Sequence, residues 1–358
     1  MKQKIKHILK KRPSLRRKKP EATVEQAIQG IPRITNETVA EHREEVLSSA
    51  RKYIYPLQHS AHRVVIISIS LIVFVIVAFF AYCLLALYNF HSSSTFVYRV
   101  TQVIPFPIAK AGNRYVAYEN YLFELRHYMH YYQTQQRVDF NSESGRQQLA
   151  DFRERAMNRV VDYAYVKMLA KEYDISVNNR ELDDAIRLVR EQNRLGSSDK
   201  VFEDVLKEFW GWSVGDFKRE LKQQMLAQKV VSSLDTETNE QAKQVFERLQ
   251  KGEDFATLAK KFSDDADTRS EGGEYTGAIS QSDRDLPAQV IDALFRLKPG
   301  QVSPIINTGS GLEIIKLKEM DGNKVRAAHI SFNFKPINTY IDPLKDKQKP
   351  RIFISQEQ

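Results

Sequence analysis

The sequence has one cysteine, Cys83, among 358 residues. It lies inside a long apolar run, so the chain has no internal disulfide and the rest of it relies on core packing. Other signatures are missing as well. No G-x-S-x-G or comparable nucleophile motif occurs, which leaves hydrolase chemistry without support. His127 and His130 stand three apart on a helical pattern, as metal ligands can, but no third Cys, Asp or Glu signature accompanies them. Neither a metal nor a cofactor is called for.

Charge is absent from Val64–Tyr88, a run of twenty-five residues. At ~1.5 Å per residue such a helix exceeds the ~30 Å hydrocarbon core of a bilayer, so it can cross with some tilt. An uncharged run this long argues against a buried core helix. A cleaved signal peptide fits poorly, because sixty-three residues precede the run and no small-x-small site follows. Tyr82 before Cys83 is a poor lipidation box. The expectation is one retained transmembrane helix.

Acidic residues are scarce before that helix. Residues 1–63 hold fifteen Lys and Arg against six Glu, a balance of +9 that equals the whole chain's +9. The excess places this segment in the cytoplasm and the larger C-terminal part outside, as a single-pass protein of the cell membrane. The basic arm suits contact with anionic lipid; its few aromatics and its membrane tether argue against nucleic acid. Residues 37–54 read as a juxtamembrane helix capped by Asn36.

Beyond the span, residues 89–101 read as a polar, β-branched linker. A Pro-x-Pro segment then enters a short strand, and four further helical patterns follow. Met157, Val160, Val161, Ala164 and Met168 share one face of the first, Ser144–Asp174. Asn178–Leu195 opens on an Asn cap, Lys200–Trp210 is shorter, and Ser213–Leu234 opens on a Ser213/Asp216 capping box. Tyr115, Tyr118, Tyr121, Tyr128, Tyr131, Tyr132, Trp210 and Trp212 could line an apolar groove or pack between helices. In its order of elements, region 102–236 resembles the N-terminal chaperone region of SurA- and PrsA-like foldases.

The next stretch is the most informative. Phe255, Leu258, Ala259 and Phe262 share a helical face, followed by a Ser-Asp-Asp turn and a double-glycine loop. A second helix spans about Pro287–Leu297, and apolar runs at Val302–Ile306 and Leu312–Leu317 flank a Gly-rich turn. The pattern F-S-x-D … G-G-x-x-G, met by Phe262, Ser263, Asp265, Gly272, Gly273 and Gly277, resembles the parvulin (PpiC-like) family of peptidyl-prolyl isomerases. The resemblance implies an α+β domain at 237–332 with a short mixed sheet, behind the mainly helical module and the single transmembrane helix. It also implies a site in which Asp265 takes the family's acidic or cysteine position. Leu286, Val290 and Phe295 fall where the family lines its proline pocket, with Ser263 and Tyr275 beside them.

Two departures from the family pattern stand out. The family's last strand usually carries a histidine where this chain has Glu313. Its histidine-bearing first strand is missing before Gln241, while a segment of that type follows the domain as Val325–Phe332. A permuted strand order explains both. A three-residue loop ending at Gly322 would oppose Leu317 to Val325, Ile315 to Ala327 and Glu313 to His329, with the lysines on the other side. A Glu313–His329 pair near Asp265 would then replace the family's histidine pair, and a carboxylate facing an imidazole favours the charged ring. The expected function is a membrane-anchored extracytoplasmic isomerase and chaperone for unfolded or proline-containing polypeptides. The alternatives are an inactive parvulin-like binding scaffold, and an envelope scaffold or signalling protein that uses the basic arm. Residues 333–358, which contain three prolines, read as an extended tail.

Overall fold

The structure is a computed structural model that describes residues 34–54, 57–192 and 198–354. Most of the basic arm therefore lies outside the described residues, as does the end of the Asn178–Leu195 pattern. The chain divides into two units, Met1–Phe80 and Ala81–Gln358.

In the first unit, α1 (Asn36–Ile54) is capped by Thr35 rather than Asn36. The Thr38 N–H donates to Thr35 Oγ1 at 3.3 Å and the Thr35 N–H donates to Thr38 Oγ1 at 3.0 Å. Then α2 (Leu57–Leu84) carries the apolar run. Its large apolar side chains from Val64 to Val77 are each at least half exposed, with no protein packed on them. Arg63–Asn89 is long and apolar enough to cross a membrane, and among the described residues it is the one helix that is.

The second unit begins with the last turns of α2 and a π-turn at Leu85–Asn89, where Cys83, Ala86 and Leu87 are buried. Tyr118 Oη donates to the Leu87 carbonyl at 2.7 Å and Tyr88 Oη donates to the Pro107 carbonyl at 2.5 Å. The expected linker is in part a helix, α3 (Thr95–Val103). Ser94 caps it by accepting from the Val97 N–H, and a short hydroxyl-led segment of this kind is easily mistaken for a loop. A hairpin of β1 (Pro107–Ala111) and β2 (Arg114–Ala117) leads into α4 (Tyr118–Thr134) and the long α5 (Glu143–Glu172). Next come α6 (Asn179–Gln192), α7 (Asp199–Trp210) and α8 (Val214–Leu234), which start at reciprocal Asn178/Glu181 bonds, a Ser198 cap and the Ser213/Asp216 capping box. Of the aromatics, Tyr118 and Tyr121 are buried, Tyr128, Tyr131, Tyr132, Trp210 and Trp212 are half-buried between helices, and Tyr115 is exposed. Trp212 stacks on Phe123 and on His127, and His130 Nε2 meets the Glu208 carbonyl at 3.0 Å.

After α9 (Thr236–Gln250), α10 (Phe255–Phe262) and the single turn α11 (Ala266–Arg269), the chain builds a small sheet. Its strands are β3 (Ile279–Ser280), β4 (Ile306–Asn307), β5 (Gly311–Asp321) and β6 (Lys324–Asn333), with α12 (Ala288–Leu294) between β3 and β4. The order is β3-β6-β5-β4 and every pairing is antiparallel, so the sheet is not mixed. The β5–β6 hairpin forms, in a register shifted by two residues from expectation. Ile315 opposes His329 and Leu317 opposes Ala327; after a bulge at Lys318, Asp321 opposes Lys324. The turn holds two residues, with Gly322 at φ +59° in the first position, as a II′ turn requires. Because the slip is even as far as Leu317, side chains up to the bulge keep their faces. Neither face is polar, however. Leu312, Ile314, Ala328, Ile330 and Phe332 pack beneath α9 and α10, while Ile315, Leu317, Val325 and Ala327 pack beneath α12.

The tail is ordered into α13 (Asn338–Lys347) and β7 (Arg351–Ile352), rather than extended throughout. β7 pairs with β1, giving a first sheet of order β2-β1-β7, and Lys345 reaches Asp162 on α5 at 2.8 Å.

Candidate active site

His329 is at the centre of β6 and only 7% exposed. Its Nε2 lies 2.9 Å from Asp265 Oδ2 and 2.9 Å from Thr268 Oγ1, and its Nδ1 lies 3.4 Å from Glu313 Oε2. The His329–Glu313 contact runs diagonally across the hairpin, since Ser331 is the residue directly opposite Glu313. Both ring nitrogens face carboxylate oxygens, which only accept when ionised, so a ring protonated at both nitrogens would donate to both. Tyr275 closes the cluster. Its ring lies against the imidazole with centroids 4.2 Å apart, and its Oη donates to Glu313 Oε2 at 3.1 Å.

Local sequence explains how these groups meet. Ser263 ends α10 and Asp265 caps α11, with its carboxylate accepting from the Asp267 N–H at 3.2 Å. Thr268, three residues on, points its hydroxyl back and donates to the same carboxylate. The double glycine then lets the chain lie flat against β6. Gly273 sits at φ +82°, donates nothing to His329 but accepts from its N–H at 2.8 Å, and a Cβ there would fall 2.1 Å from the His329 carbonyl oxygen. This approach brings Tyr275 over the imidazole.

The electrostatics follow from these contacts. Burial pushes the Asp265 carboxyl up, but hydrogen bonds from Thr268 and His329 outweigh it and hold the group below the usual aspartate range. Burial, reinforced by the charge of Glu313, pushes the Tyr275 phenol far above its ordinary value. Tyr275 is therefore a neutral donor at physiological pH.

The site residues named from sequence divide into two groups. Asp265, His329, Glu313 and Tyr275 form one connected cluster. Leu286, Phe295 and Tyr275 are partly buried around a common apolar core on the same face of the sheet. Val290 belongs to that core and is 0% exposed, so it backs the wall instead of facing an incoming chain. Ser263 is likewise structural: buried, its Oγ accepts from the Ser331 N–H at 3.1 Å and fastens the end of α10 to β6. Thr268 was missed, although a threonine three residues after a helix-capping aspartate is a readable signal.

Residues 225–319 match the PPIC-type PPIASE domain family, and residues 57–231 match the SurA-like N-terminal domain family. The chain carries a SurA-like N-terminal domain and a PPIC-type PPIase domain. It is similar to foldase protein PrsA 3 of Bacillus anthracis, 34% identical over 106 residues, which cover 28% of this chain and 35% of that protein. It is also similar to the foldase protein PrsA of Clostridium botulinum (strain Okra / Type B1), 27% identical over 212 residues, which cover 49% and 62%. The chain thus spans between a third and three-fifths of the length of these relatives. A solved foldase protein PrsA from Streptococcus pneumoniae str. Canada MDR_19A aligns with 58% of this chain and 83% of its own, at 20% identity and a TM-score of 0.22. The PPIC-type match ends inside β5, and His329 lies beyond it on β6.

Proposed function

We propose that this protein is a membrane-anchored peptidyl-prolyl isomerase that also holds unfolded or proline-containing polypeptides on the outer side of the cell membrane, with its basic segment in the cytoplasm. The observation that carries the reading is the Asp265–His329–Glu313–Tyr275 cluster within and beside the PPIC-type domain. In this reading β6 takes the place of the family's first strand and brings its histidine with it.

Rotation about an X-Pro bond crosses a barrier of about 18–20 kcal/mol, because the planar amide is stabilised by conjugation. Lowering it requires no cofactor. A surface must grip the prolyl ring, and fixed polar groups must interact better with the twisted amide than with the planar one. Leu286 and Phe295 offer the apolar contact. The clamped imidazole and the neutral Tyr275 phenol offer dipoles held in place by partners, so they need little reorganisation as the amide twists. A cleft of about 1180 Å³, lined in part by Leu188, Met225, Ile291 and Phe295, supports the holding role by giving a longer client segment a mixed apolar and charged surface beside that grip.

The test uses the full chain in nanodiscs with a proline tetrapeptide substrate. Asp265→Ala and His329→Ala should each slow isomerisation on the order of 10²-fold, as loss of one preorganised polar group does elsewhere. Unchanged rates in folded variants would refute the assignment. Suppression of client aggregation without any isomerisation in the wild type would favour the inactive scaffold.

A further inference from the structure

From Val64 to Tyr82 the helix has nineteen residues. These cover about 28 Å, close to the ~30 Å of a hydrocarbon core, and tyrosine favours its boundary. Immediately beyond, Cys83, Ala86 and Leu87 are buried by protein, with Tyr118 bonded to the Leu87 carbonyl. No polar spacer intervenes. Whatever lies beside Tyr82 is then at the level of the lipid headgroups.

The element beside it is α3. The Phe96 ring lies 6.2 Å from the Tyr82 ring. Val97 and Thr101 point inward, so Phe96, Arg99 and Val103 form the outer stripe. Phe96 is 54% exposed and Val103 82%; Phe90, at the end of the π-turn, is 70% exposed. Single exposed apolar residues are ordinary on a soluble surface. Two on one stripe of a short helix, with a third at the end of the π-turn that precedes it, call for an apolar neighbour. Arg99, between Phe96 and Val103, has no ion pair among the described residues and could meet a lipid phosphate.

We propose that Phe90, Phe96 and Val103 form a foot that lies in the interfacial layer of the bilayer, with Arg99 against the headgroups. The geometry is that of an interfacial amphipathic helix, whose apolar face enters about 5–10 Å below the headgroup surface. This rests on the reading of α2 as a membrane span.

Single nitroxide labels test both parts separately. In a Cys83→Ala background of the full chain, reconstituted in phosphatidylglycerol/phosphatidylethanolamine vesicles, labels are placed at L71C, V103C, R99C and V201C. Leu71 lies mid-span and Val201 is an exposed position on α7. Accessibility to oxygen relative to a water-soluble nickel complex should be high at 71 and low at 201. At 103 it should be intermediate, with 99 between 103 and 201. A label at 103 as water-accessible as that at 201, with 71 still in lipid, overturns the foot and leaves the span standing. A label at 103 shielded from both reagents means that protein covers the stripe, which also overturns it. A water-accessible label at 71 instead removes the span itself.

Discussion

Replacing Thr268 with valine should change the titration of Asp265 and, through it, the stability of the small sheet. The substitution keeps the shape of a side chain that is 9% exposed and removes one hydroxyl. That hydroxyl donates to Asp265 Oδ2 and lies 2.9 Å from His329 Nε2. A hydrogen bond to an ionised group contributes about 1.5–3 kcal/mol, so the variant should lose that much when Asp265 is charged. The cost depends on pH in a defined direction. Asp265 titrates below its unfolded value in the folded protein, so its contribution is present above the unfolded pKa and disappears as pH falls through the folded one. In T268V the folded pKa moves up toward the unfolded value. The variant should therefore be destabilised at pH 7 and approach the wild type in strong acid. Hydrogen exchange reads the neutral-pH loss directly: amides of β6, including that of Ser331, should exchange about ten- to a hundredfold faster if they open with the sheet. The carboxyl carbon resonance of Asp265 reads the titration. An Asp265 midpoint that does not rise in T268V would show that the hydroxyl does not stabilise the carboxylate, and the account of this site would fail.

The glycine loop gives a paired prediction by thermal unfolding. Gly273→Ala places a Cβ against the His329 carbonyl at positive φ and should cost well above the ~1–2 kcal/mol of left-handed strain alone, whereas Gly277→Ala, with φ +90° and no atom within 4 Å, should cost only that strain. Equal losses would refute the close approach. In the helical module, Glu124 is held against Arg159 and pushed up to about 7, chiefly by burial. An acid with a raised folded pKa favours the native state when protonated, so the module should lose up to about 3 kcal/mol as pH rises from roughly 4.5 to above 7, and Glu124→Gln should remove that dependence in denaturant titrations.

Where local signals were strong, sequence and structure coincide. The capping residues Asn178 and Ser213 start helices where expected, and the positive-φ glycines 272, 273 and 277 mark the loop that carries Tyr275. The β5–β6 hairpin and the meeting of Glu313 with His329 were also legible, because alternation along a strand assigns faces even when register is uncertain. Register itself was not legible. A two-residue turn plus a bulge at Lys318 replaced the three-residue loop, and nothing in the local residues distinguishes the two. The polarity of the lysine-bearing face was misread because the helices that cover it come from much earlier in the chain. The tail was misread for a related reason: its prolines suggest extension, but Pro343 is accommodated inside α13 and β7 is held by a strand that lies far away in sequence.

That last pairing has a consequence for biogenesis. Lys110 opposes Arg351, so the first sheet of the helical module is completed by residues synthesised after the whole PPIC-type domain. During synthesis β1 and β2 emerge early and wait with one strand edge open. The intervening domain can fold first within its own span of sequence, and arrival of β7 then closes the module by a non-local contact, the slow kind. Until then the β1 edge is an unpaired strand, open to any other extended segment.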